Sequence, residues 1–153
     1  PEFDLFFLGL DKGRRRNLEE LEEKLSKQGL QTNFYIVNPS GGKFPPVDYS
    51  TYLSLLAKTR AIFDYVQDGQ TGLTLRTMES LFLGKKLVTT NKEIVNQDFY
   101  NRQNIFILGV DRLDAIIEFI NTPYAAPSSE LVNKYSMESW LNRFFKATNV
   151  ERC

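Results

Sequence analysis

Histidine is absent from this chain, and the only cysteine, Cys153, is its last residue. The first absence removes the commonest general base and the commonest zinc ligand. The second leaves neither a disulfide framework nor a catalytic cysteine–histidine pair, which fits a cytoplasmic protein. No excess of one charge exists either: 19 basic side chains balance 19 acidic ones. Nothing in that balance draws the chain to nucleic acid or to an anionic membrane surface, so no nucleic-acid partner is expected. No apolar run approaches the ~20 residues of a membrane span, and the N-terminus lacks a signal peptide's basic start and apolar stretch. No convincing metal-ligand cluster stands out. Asp64 and Asp68 are close in sequence but flank a strand end, and no metal or other cofactor is expected.

What remains is an ordinary core-forming composition, 42% hydrophobic and 25% charged over 153 residues. That is enough for one sizeable core and too little for two. The chain opens "PEF" and then "DLFFLGL", a core-type strand almost at residue 1 with no initiator methionine. This reads as a piece excised from a longer protein, with 1–3 compatible with a remnant of cloning and a partner domain missing.

Apolar runs and amphipathic segments alternate along the chain. Strands are expected over 4–10, 32–38, 61–66, 85–91 and 104–109, each apolar or rich in β-branched residues. Between them, 14–27 places Leu18, Leu21 and Leu25 on one helical face opposite Glu19, Glu20, Glu22 and Glu23, and Gly29 closes it. Further helices are expected over 49–59, 73–83 and 113–120, with two short ones around Leu131 and Trp140. The proline- and glycine-rich 39–46 forbids regular structure. Apolar strands alternating with helices imply parallel βαβ units, hence an α/β, Rossmann-like doubly wound sheet of five to six strands in a single domain over 1–153.

Such sheets bind ligands beyond the carboxyl ends of their strands, which singles out three loops. "GLDKGRRR", 9–16, joins the first strand to the first helix. Gly9 and Gly13 permit tight turns, the helix start offers N–H groups, and Lys12, Arg14 and Arg15 add charge, a combination that suits phosphate. It is neither GxGxxG nor a Walker A loop; a basic, solvated first turn is the plainer reading. "QDGQTG", 67–72, enters a helix whose first turn can offer the amides of Gly72, Leu73 and Thr74 to an anion. Arg76 near a positive helix end calls for such an anion, and Glu79 follows on the same face. The plainer reading is an Arg76–Glu79 surface pair worth ~0.3 kcal/mol. "NPSGGKFPPVDY", 38–49, either packs against a base or sugar or caps the sheet edge.

The stretch "GQTGLTLRTMESLFLGKKLVTTN", 69–91, resembles the C-terminal half of bacterial glycosyltransferases of lipopolysaccharide or capsule biosynthesis. "FFLGLDKGR", "YLSLLAKTRAIFDYVQ", "NQDFY", "NIFILG" and "YSMESWLNRFF" extend the likeness over nearly the whole chain. The resemblance implies a GT-B architecture, two Rossmann-like domains facing across a cleft, with this one holding a nucleotide-diphosphate sugar. It further implies that Glu79 holds the donor ribose. Lys12 and Arg14 contact the diphosphate, with Gly9 and Gly13 shaping that loop. Arg76 and the segment Gln70, Thr71, Gly72, Leu73 and Thr74 surround the phosphates. The acceptor, a glycan or lipid-linked glycan, would be met through the missing domain, at the inner face of the membrane. One departure stands out. Retaining members carry a second glutamate two helical turns before the ribose-binding one, and the corresponding position here is Thr71. Two other readings are open: a non-catalytic Rossmann-like module, in which Phe44, Tyr49, Phe99 and Tyr100 serve a partner interface, although packing at the sheet ends is the plainer role for these rings, and a receiver-type phosphoacceptor using Asp11 or Asp64. The latter lacks the acidic pair expected near the first strand.

Overall fold

A computed structural model of the chain describes residues 1–38, 47–67 and 72–135. Five strands, β1 (Phe3–Leu10), β2 (Thr32–Val37), β3 (Thr59–Asp64), β4 (Lys86–Thr89) and β5 (Ile105–Ile107), form one sheet in the order β2-β1-β3-β4-β5. Every neighbouring pair is parallel. The helices are α1 (Arg15–Ser26), α2 (Tyr49–Ala57), α3 (Leu75–Leu83), α4 (Ile116–Asn121) and α5 (Ser129–Tyr135), with 3-10 turns at Lys92–Asn96 and Leu113–Ala115.

The continuous apolar character of β1 follows from its being covered on both faces. Leu5 and Phe7 pack with Leu18 and Leu25 of α1 and with Ile116, Phe119 and Ile120 of α4. Phe6 and Leu8 point the other way, to Tyr52 and Leu56 of α2 and Met78 and Leu81 of α3, with α5 laid against the same layer. This is a doubly wound α/β sheet, a Rossmann-like arrangement in the general sense. In α1 the leucine stripe is inside, and the outer face carries Arg15–Glu19, Arg16–Glu20 and Glu23–Lys27 pairs at 3.6, 3.2 and 3.0 Å. Exposed pairs of this kind each contribute only ~0.3–0.5 kcal/mol, so leucine burial carries the helix.

Several boundaries differ from the sequence reading. α2 ends at Ala57, because β-branched Thr59 already pairs with Phe3 as the first residue of β3. α3 begins at Leu75 because Thr74 is its N-cap, accepting from the Thr77 amide at 3.2 Å. The segment 113–120 opens as a 3-10 turn before α4. Of the two closing helices, one is α5; the other, around Trp140, lies outside the described residues. β5 stops at Ile107, where the chain turns sharply through Gly109 at φ +85°. The amides of Ile105 and Ile107 go to the Asn101 carbonyl (2.9 Å) and the Asp111 carboxylate (2.7 Å), which blunts this sheet edge against further pairing.

The strand order reverses between β1 and β3, since the chain moves outward from β1 to β2 and then crosses back. There the ladder stops early. The β1–β3 register ends at Phe6↔Ile62, although β1 continues beside β2 to Leu10↔Val37 and β3 runs to Asp64. The two strands splay, and a crevice opens at the place where doubly wound sheets bind ligands.

Candidate functional site

Two arginines fill that crevice. Arg76, from α3, donates through Nη2 to the Leu8 carbonyl, taking the place of a β3 amide beyond the end of the ladder. Arg14, just before α1, donates through Nε to the Leu10 carbonyl (3.1 Å) and through Nη1 to the Tyr65 carbonyl (3.4 Å). Their exposures are 7% and 6%, so both charges are withdrawn from bulk water. The two guanidiniums meet at Gly9: a Cβ built there would lie 2.5 Å from Arg76 Nη2 and 3.1 Å from Arg14 Nη2. Both also lie over the Phe7 ring, at 4.9 and 5.6 Å from its centroid. Gly9 is therefore the residue whose missing side chain lets two cations converge.

Two like charges in a crevice this dry repel unless something negative is near. Among the described residues, Asp64, at the end of β3 and fully buried, is close enough to Arg76 to feel its charge. Burial holds its carboxyl above the ordinary Asp range, while Arg76 and the hydroxyls of Thr74, Thr89 and Thr77 pull the other way. Those hydroxyls donate to it at 3.0, 3.2 and 3.4 Å, tying β3 to β4 and to the start of α3. Arg76 Nε is buried with no hydrogen-bond partner among the described residues, an orphaned donor of the kind that costs ~1–3 kcal/mol.

Glu79 lies one turn beyond Arg76 and is 2% exposed. Tyr52 and Tyr49 of α2 donate to its carboxylate oxygens, at 3.1 and 3.5 Å. Arg76, Glu79 and both tyrosines line one cavity of about 100 Å³, closed below by Leu8 and Leu75 and flanked by Val47 and Asp48. Asp48 caps α2 by accepting from the Thr51 amide at 2.7 Å. The cavity is small beside the ~300–1,000 Å³ of ordinary small-molecule pockets.

The expectation that Arg76 and Glu79 share a face is met, but the plainer alternative of a surface pair is not. Both side chains are buried, and no ion pair joins them among the described residues. The start of α1 also differs from the expectation. Asp11 accepts the Arg15 amide (3.1 Å) and Nε (3.3 Å), and its carbonyl accepts the Arg14 amide (2.8 Å). Those amides are thus already engaged, and the guanidinium of Arg14 is what this loop brings to the crevice. Lys12 is exposed at φ +47°, beside Gly13 at φ +75°. At the other loop the first amides of α3 belong to Leu75 and Arg76, while Leu73 and Thr74 precede it and Gly72 is exposed at φ +92°. Gln70, Thr71, Asp68 and Phe44 lie outside the described residues. Phe99 takes the plainer of its two roles: it is 6% exposed, packs edge-on to Tyr135 at 5.4 Å and joins the apolar cluster that includes Ile94. Tyr49 and Tyr100 are half-buried.

Sequence reasoning missed Tyr49 and Tyr52 as partners of Glu79, and Asp64 as a hub. Tyr52 looked like a core position at helical spacing, and its hydroxyl left no separate mark. Among the described residues no group of three His, Cys, Asp or Glu side chains is placed to hold a metal ion, and no helix is long and apolar enough to cross a membrane. No protein-family model, no curated protein and no solved structure matches the chain.

Proposed function

We propose that this chain is the donor-binding domain of a glycosyltransferase, and that its crevice between β1 and β3 receives the diphosphate of a nucleotide-sugar. The observation that carries the reading is the meeting of the Arg14 and Arg76 guanidiniums at Gly9, buried, at the reversal of strand order. Guanidinium groups in a fork suit the paired oxygens of phosphate, and Arg76 Nε is a buried donor still to be matched. Lys12 and Gly13 on one loop, and Gly72, Leu73 and Thr74 on the other, flank the same edge of the sheet. Glu79 then accepts the ribose hydroxyls, taking bonds that Tyr52 and Tyr49 supply in the free chain.

In glycosyl transfer the bond from the sugar carbon to the diphosphate oxygen breaks, and negative charge grows on the departing diphosphate. Two preorganised guanidiniums in a low-dielectric crevice stabilise that charge more than they stabilise the ground state. The acceptor glycan and the group that takes its proton belong to a partner domain on this reading, so the chain alone binds and does not transfer.

A second reading is a non-catalytic module in which Arg76 only closes the splay between β1 and β3. Its bond to the Leu8 carbonyl favours it. Calorimetric titration with UDP, GDP, ADP and CMP separates the two. Donor binding requires at least one of these to bind and Glu79→Gln to weaken it about tenfold, equivalent to ~1.4 kcal/mol. Absence of binding by all four leaves the structural reading.

A further inference from the structure

A groove of about 710 Å³ runs past the carboxyl ends of β3, β4 and β5 on the α1 side of the sheet. Its volume is that of a small-molecule site, several times the Glu79 cavity, and it shares no lining residue with that cavity. Lys24 of α1 and Lys92 of the turn after β4 both line it. Neither has a hydrogen-bond or ion-pair partner among the described residues, whereas Arg15, Arg16, Lys27 and Lys134 are each paired with a carboxylate. Lys92 is laid along Gly109, where an added Cβ would meet its Cε at 3.7 Å and its Nζ at 3.9 Å. The Lys92 side chain thus lies along the groove's wall. Asp111 is the one carboxylate in the lining, and its Oδ2 is taken by the Ile107 amide at 2.7 Å. Half-buried Tyr65 presents a ring, and its hydroxyl accepts from Asn17 at 3.4 Å.

We propose that this groove is a second ligand site, for a polyhydroxylated ring that carries one anionic group. Two ammonium groups without carboxylates select the anion. The side-chain amide of Asn17, whose Nδ2 reaches the Tyr65 hydroxyl, is able to donate and accept, as ring hydroxyls require. The Tyr65 ring carries the Arg14 guanidinium at 5.7 Å from its centroid, and its remaining exposed part supplies an apolar surface for the C–H face of a pyranose. A uronate and a sugar phosphate share this chemistry. The groove adjoins the Gly9 crevice at Tyr65, whose carbonyl accepts from Arg14 at 3.4 Å, but the proposal does not rest on a nucleotide binding in that crevice.

The test is an amide-resolved NMR titration of the whole chain with methyl β-glucuronide, glucose 1-phosphate and, as the neutral control, methyl β-glucoside. At least one of the two anions is expected to give saturable shifts at Thr90, Lys92 and Gly109, and to bind about tenfold more tightly than the glucoside. The anion that saturates identifies the source. Lys24→Glu with Lys92→Glu should weaken that binding by at least about tenfold, with the melting temperature unchanged because both side chains are exposed. No saturable shift with either anion, equal affinity for the glucoside, or unchanged affinity in the double variant overturns the proposal. Nucleotide titration of the same double variant reports on the Gly9 crevice independently.

Discussion

Gly9→Ala is the substitution that most sharply probes the convergence of the two arginines. The added Cβ would stand 2.5 Å from Arg76 Nη2 and 2.6 Å from Phe7 Cζ, both inside contact distance, and 3.1 Å from Arg14 Nη2. An arginine terminus can swing aside. Phe7 cannot, because its ring is 0% exposed and packed against Phe34 and Phe63 at 5.6 and 5.9 Å. Overpacking of this kind costs ~1–3 kcal/mol. Swinging Arg76 away also breaks its charged hydrogen bond to Leu8, a further ~1.5–3 kcal/mol if nothing replaces it. Partial relaxation makes the two costs overlap, so ~2–4 kcal/mol is expected in all. With a urea m-value of ~2 kcal/mol/M the unfolding midpoint should fall by ~1–2 M. The same substitution in an Arg76→Met background should cost ~1 kcal/mol less, since one clash is already gone. A midpoint within ~0.3 M of the parent, or strict additivity of the two changes, would refute the idea that Gly9 exists to admit Arg76.

Two further outcomes follow from the same site. Tyr52→Phe removes the 3.1 Å donor from a 2% exposed carboxylate and should cost ~1–3 kcal/mol in urea unfolding. Tyr49→Phe removes a bond at the 3.5 Å limit and should cost under ~0.5 kcal/mol; the reverse order would contradict the arrangement at Glu79. Asp64 has its pKa raised in the folded state by burial, so between its unfolded value near ~3.9 and the raised one the native chain holds the extra proton. Its contribution to stability is therefore fullest below that window and declines as pH rises through it. Asp64→Asn should flatten that part of the stability–pH profile, and two parallel profiles would show that Asp64 does not titrate there.

The periodicity of the sequence revealed the architecture because each strand buries both faces. The doublets Leu5/Phe6 and Phe7/Leu8 can only be apolar together when helices cover both sides. The spacing of Arg76 and Glu79 likewise brought both to one cavity. What the sequence hid was whatever depends on where the ladder stops. Nothing in "DLFFLGL" announces that pairing with β3 ends at Phe6, so the burial of Arg76 against the Leu8 carbonyl was not legible. The same holds for Asp64, whose three hydroxyl donors come from α3, its cap and β4. Asp11 was open to prediction: an acidic residue ahead of a basic first turn commonly takes its amides, yet the neighbouring basic residues drew the eye to phosphate.

The central claim is that the crevice between β1 and β3 holds a diphosphate, and a crystal of the chain soaked with UDP, GDP, ADP and CMP tests it directly. The account predicts phosphate oxygens ~2.7–2.9 Å from guanidinium nitrogens of both Arg14 and Arg76, with the ribose hydroxyls on Glu79. A nucleotide held at any other edge of the sheet would contradict it. So would crystals in which both arginines stay on the Leu8, Leu10 and Tyr65 carbonyls at saturating nucleotide.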